Sequence, residues 1–83
     1  METQLKTVRI DLALPLADEA RLRTILIDMG YEWGIAIFQE SDRSWVELHL
    51  PEDFHSTSVL RAVNHALRDM GSDAIPGDPI LIG

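Results

Sequence analysis

Eighty-three residues carry fourteen carboxylates against seven lysines and arginines, a net charge of −7 that phosphate backbones and anionic membranes repel. Cysteine is absent, which removes disulfides, thiolate metal sites, Fe–S clusters and cysteine nucleophiles together. At this length a single domain over residues 1–83 is expected, with one core, about 60–65% of the unfolded surface buried and no deep active-site cavity.

The first element is a strand. From Leu5 to Leu14, Val8, Ile10, Leu12 and Leu14 alternate with Thr7, Arg9, Asp11 and Ala13, the period of a half-buried strand, and Pro15 stops it. After Asp18 and Glu19 the spacing changes to Leu22, Ile25, Leu26 and Met29, one face of a helix that Gly30 ends. Trp33, Ile35 and Ile37 then alternate with Gly34, Ala36 and Phe38. Past the polar turn Glu40-Ser41-Asp42-Arg43, Val46, Leu48 and Leu50 alternate with Trp45, Glu47 and His49, so the two stretches form a hairpin. Pro51 closes it. Asp53 or Ser56 is placed to cap a second helix with the stripe Val59, Leu60, Val63, Leu67 and Met70, which Gly71 ends. A turn-rich stretch leads into a short last strand at Ile80-Leu81-Ile82.

The order is β-α-β-β-α-β, which predicts a small α+β, ferredoxin-like sandwich: a four-stranded antiparallel sheet in the order 4-1-3-2, with two helices on one face. An internal repeat agrees, since Asp28-Met29-Gly30 recurs 41 residues later as Asp69-Met70-Gly71, at the equivalent ends of the two helices. The predicted helix-facing set is Val8, Ile10, Leu12, Trp33, Ile35, Ile37, Val46, Leu48 and Leu50. The face left open receives Arg9, Asp11, Glu32, Ala36, Phe38, Glu40, Trp45, Glu47 and His49.

Charge is concentrated on the hairpin. Between Tyr31 and Asp53 six carboxylates (Glu32, Glu40, Asp42, Glu47, Glu52 and Asp53) face one cation, Arg43, and account for −5 of the net −7. Glu52 and Asp53, at the start of the second helix, are explained by capping and the helix dipole. Glu32, Phe38, Glu40, Asp42, Trp45, Glu47 and His49 remain as the expected partner-binding residues. Two large aromatics on an open sheet face call for something to cover them. RNA-recognition sheets surround such rings with Lys and Arg, whereas these neighbours are acidic.

No chemical motif competes. The glycines make no phosphate cradle, and GxSxG, P-loop and HExxH patterns are absent. His49 beside Glu47, with Asp11 on the adjacent strand, has the residue types of an acid–base site, but i, i+2 neighbours on a strand stand about 6.6–6.8 Å apart. Arg9 is placed to neutralise Glu47 across strands. His55 and His65 are ten residues apart, about 80° around a helix, so they do not form an i, i+4 metal pair. No catalytic residue, cofactor or metal is expected.

The β-α-β-β-α-β pattern resembles that of ACT-type regulatory domains and of small dimeric α+β-barrel proteins. That resemblance implies a homodimeric regulatory or scaffold module with the open face buried between copies. ACT-type ligand sites use a glycine-containing turn after the first strand, where this chain has Leu14-Pro15-Leu16-Ala17-Asp18. In size and acidity the chain is also similar to phage-encoded inhibitors such as anti-CRISPRs, which implies carboxylates set into a partner's basic nucleic-acid groove. The leading expectation is a non-enzymatic, cytoplasmic, acidic protein-binding module or inhibitor whose partner has a basic surface. Homodimerisation is the alternative, and neither direct nucleic-acid binding nor a membrane span is expected, the apolar runs being far shorter than the roughly 18–20 residues a span needs.

Overall fold

The computed structural model of the chain describes residues 4–41 and 43–82. Strand β1 (Leu5–Asp11) leads through a 3-10 turn (Leu16–Asp18) into helix α1 (Glu19–Asp28). The hairpin β2 (Ile35–Gln39) and β3 (Ser44–Pro51), helix α2 (Ser56–Asp69) and strand β4 (Ile80–Ile82) follow. This is a small α+β fold: one sheet of four strands, every neighbouring pair antiparallel, and two helices. The sheet order is β2-β3-β1-β4, so β1 and β3 are central while β2 and β4 are edges. No helix among the described residues is long and apolar enough to cross a membrane.

The alternation read in the sequence fixes which sheet face is buried. In register, Val8 lies opposite Leu48 and Ile10 opposite Val46, and Leu50, Leu48, Val46, Ile10 and Val8 are all essentially inaccessible. Leu22 and Leu26 of α1 and Val59, Ala62, Val63, Ala66 and Leu67 of α2 join them in one cluster, so both helices share that face. Full burial of a leucine or valine is worth about 1.5–3 kcal/mol, and this shared layer is the main favourable term in the fold. Ala62 and Ala66, absent from the predicted stripe, stand one turn apart on the buried side of α2, where their small side chains allow close packing.

Both helices end on the same hydrogen-bonded motif. At α1 the Tyr31 N–H reaches the Leu26 carbonyl and the Gly30 N–H that of Ile27; at α2 Ser72 reaches Leu67 and Gly71 reaches Arg68. This is the Schellman pattern, and it needs φ > 0 at the glycine, +102° at Gly30 and +72° at Gly71. The Asp-Met-Gly repeat is accounted for by these two caps. The methionines differ: Met70 packs against the core, whereas Met29 is exposed.

Three boundaries depart from the sequence expectation. Strand β1 ends at Asp11, yet Leu12 and Leu14 remain buried because Ser44 holds them. The Ser44 hydroxyl accepts from the Leu14 N–H at 3.0 Å and donates to the Leu12 carbonyl, so this buried serine continues the pairing past the last rung. Strand β2 starts at Ile35, not Trp33, because Gly34 breaks the extended run at φ +147°. Helix α1, by contrast, begins where the sequence places it, at Glu19 with Asp18 in the N-cap position, behind the 3-10 turn. Helix α2 has His55 at its N-cap with no side-chain cap bond, and neither Asp53 nor Ser56 takes that position.

Displaced from the sheet, Trp33 joins Tyr31 and Phe54 in a cluster of edge-on rings with centroids 5.7–6.5 Å apart. Lys6 donates to the Phe54 carbonyl beside it. Burial in this cluster pushes the Tyr31 phenol above its ordinary value. The unfolded phenol therefore ionises first as pH rises. Its effect on stability is nil below about pH 10, and stability is lost as pH climbs through that value and beyond. Urea melts between about pH 9 and 11.5 should show the wild-type midpoint falling more steeply than that of Tyr31→Phe; parallel curves would contradict this.

Candidate functional site

The sheet face opposite the helices is built from the alternate residues of four strands. Reading across it, one rung holds Phe38, Trp45 and Asp11, the next Ala36, Glu47, Arg9 and Ile80, and the third His49, Thr7 and Ile82. Trp45 is the centre. From the β2 side Phe38 stacks on it, with ring centroids 5.3 Å apart and planes 16° from parallel. From the β1 side the Arg9 guanidinium lies 4.3 Å from the ring centroid, and Arg43 lies at 5.5 Å. Cation–π contacts of this kind contribute about 0.5–1 kcal/mol at exposed sites. Trp45 is thus flanked on both sides and only half-exposed, and Phe38, 40% exposed at the sheet edge, offers the accessible ring surface.

The polar groups of this face are largely paired with one another. Arg9 donates to Asp11 Oδ1 at 2.9 Å, within its own strand, in place of the cross-strand pairing with Glu47. Glu47 accepts instead from the Trp45 indole N–H at 2.9 Å. Arg43 pairs with Glu40 at 3.1 Å across the hairpin turn. His49 Nδ1 lies 3.0 Å from Thr7 Oγ1, and its ring covers the Cα of Gly34.

This disposition sorts the residues singled out in the sequence. Phe38, Trp45, Glu47 and His49 come together on the open face, with Glu40 at its hairpin end. Glu32 does not join them: it is exposed in the loop before β2, whose five residues span about 16 Å between it and Glu40. Asp42 lies outside the described residues. Asp11 pairs with the Trp45 position, four residues from His49, so the acid–base grouping is dispersed by about 13 Å of strand. Among the described residues no cluster of three or more metal-ligating side chains is found. A shallow depression of about 380 Å³ at the hairpin end, lined by Leu14, Gln39, Glu40, Arg43 and Ser44, has these polar groups already bonded internally.

Arg9 is the contributor that sequence reasoning placed but misassigned. Its position on the open face was legible from alternation, while its choice of Trp45 and Asp11 over Glu47 is a matter of side-chain packing that strand period does not encode. No family model matches the chain, and neither a curated protein nor a solved structure matches it significantly.

Proposed function

We propose that this chain is a non-enzymatic protein-binding module acting through its open sheet face, with Phe38 and Trp45 as the anchor. The observation that carries the reading is the Phe38–Trp45–Arg9 stack, an aromatic and arginine cluster of the residue types that dominate interface energetics, held on three adjacent strands. The net charge of −7 favours a partner with a basic surface by steering encounter, while the rings supply most of the affinity. Within this reading the scaffold is a ferredoxin-like sandwich. Its support is the antiparallel pairing, both helices on one face, and a strand order that from the β4 edge reads 4-1-3-2.

The inhibitor form of the reading, with carboxylates set into a basic nucleic-acid groove, draws less support. Glu32 stands apart, and Glu40 and Glu47 are engaged within the chain. In a Trp33→Phe background Trp45 is the sole tryptophan and reports on the face directly. Affinity capture followed by titration of the captured protein is expected to shift Trp45 emission. Phe38→Asp should weaken binding by at least about thirtyfold, the 2 kcal/mol of an interface hot spot, and Arg61→Ala on α2 should leave it unchanged. Equal binding by the Phe38→Asp and wild-type chains overturns the proposal.

A further inference from the structure

Strand β2 is an edge, and its outer side carries backbone groups that nothing in the sheet uses. The His49 N–H donates to the Gly34 carbonyl and the Glu40 N–H to the Arg43 carbonyl, at the two ends of the β2–β3 register. Antiparallel ladders alternate, so residues 34, 36, 38 and 40 turn their N–H and C=O groups toward β3. Those of Ile35, Ile37 and Gln39 therefore point outward. The strand reads Ile-Ala-Ile-Phe-Gln, with no charge, proline or bulge, and so lacks the features by which edges are normally blunted.

We infer that β2 pairs with β2 of a second copy of this chain, antiparallel about a two-fold axis at Ile37, joining two sheets into one of eight strands. Three observations select a second copy as the occupant. The outward groups are symmetric about Ile37, so the axis pairs Ile37 with Ile37 and Ile35 with Gln39, and every outward donor meets an acceptor. The same register sets Ala36 against Phe38 of the other copy at a non-hydrogen-bonded rung, where side chains approach most closely, and the small residue makes room for the large ring on both sides of the axis. Finally, each copy carries −7, and this uncharged strand lets two like-charged molecules meet without opposing carboxylates on the paired rungs.

The pairing leaves the open face uncovered and doubles it, with both Phe38 rings beside the axis. It is independent of what that face binds. Two five-residue strands about 16 Å long bury far less than the ~1,600 Å² of a standard interface, so association is weak and concentration-dependent.

The test is sedimentation equilibrium of the chain alone from about 10 µM to about 1 mM, with circular dichroism to show that each variant is folded. The wild-type mass should rise from 9.3 kDa toward twice that value. Ala36→Lys and Phe38→Glu should each stay monomeric, since each sets a charge against an apolar side chain on the paired rungs. An equimolar mixture of the two should regain the dimer, because the register places position 36 of one chain against position 38 of the other and so brings the two opposite charges face to face. A wild-type chain that remains at 9.3 kDa overturns the inference and leaves the edge to a foreign strand. Dimers that survive in the single variants, or a mixture that fails to associate, overturn it as well.

Discussion

Replacing Leu48 with alanine is expected to cost about 2–5 kcal/mol, the range for a fully buried leucine whose cavity does not collapse. Leu48 is inaccessible at the middle of central strand β3, opposite Val8 on one side and Ile35 on the other. It therefore touches both neighbouring strands and the helical layer above them. A domain of this size has about 5–15 kcal/mol of stability in total. Near the lower bound, the variant keeps only about 0–3 kcal/mol, so up to about half of it is unfolded at 25 °C. His65→Ala, an exposed change on α2, should stay within about 0.5 kcal/mol of wild type. Urea melts read both, and a loss below about 1 kcal/mol for Leu48→Ala would remove β3 from the core.

The second large effect is expected at Gly34. A Cβ there would lie 2.7 Å from His49 Cδ2, and the backbone sits at φ +147°, where side chains are strained. Gly34→Ala should therefore cost about 1–3 kcal/mol in strain alone, and more while the His49 ring keeps its place against Thr7. The two contributions separate in a double-mutant cycle. In the His49→Ala background the clash is gone and only the backbone part remains, so the penalty should shrink by about 0.5 kcal/mol or more. Purely additive costs would show that the histidine does not cover the glycine in solution.

Much of the fold was legible because its core obeys period. The helix-facing alternation of Val8, Ile10, Val46, Leu48 and Leu50 and the stripe Val59, Val63 and Leu67 were read directly, and they are buried as that reading requires. What escaped was local geometry that pattern does not encode. Trp33 continues the hydrophobic alternation on paper, but the φ > 0 available to Gly34 turns the chain there and sends the indole to Tyr31 and Phe54. Ser44 looks like turn material beside Asp42 and Arg43, yet its hydroxyl satisfies two backbone groups of the Leu12–Leu14 segment. On the open face, the residue types were foreseen and their pairings were not. Charges with several partners within reach, as Arg9 has in Asp11, Glu47 and Trp45, are sorted by rotamers and packing after the backbone is placed.

The Trp45 stack has a thermodynamic corollary. Arg9, Trp45 and Phe38 hold one another in place before any partner arrives, and the indole N–H is already bonded to Glu47. Docking onto this face therefore forfeits little rotamer freedom, against roughly 0.5–1.5 kcal/mol for each loose side chain that a binding event must freeze. Calorimetry of a complex formed here should show a negative heat-capacity change from apolar burial, without the large unfavourable entropy that marks a surface folding as it binds.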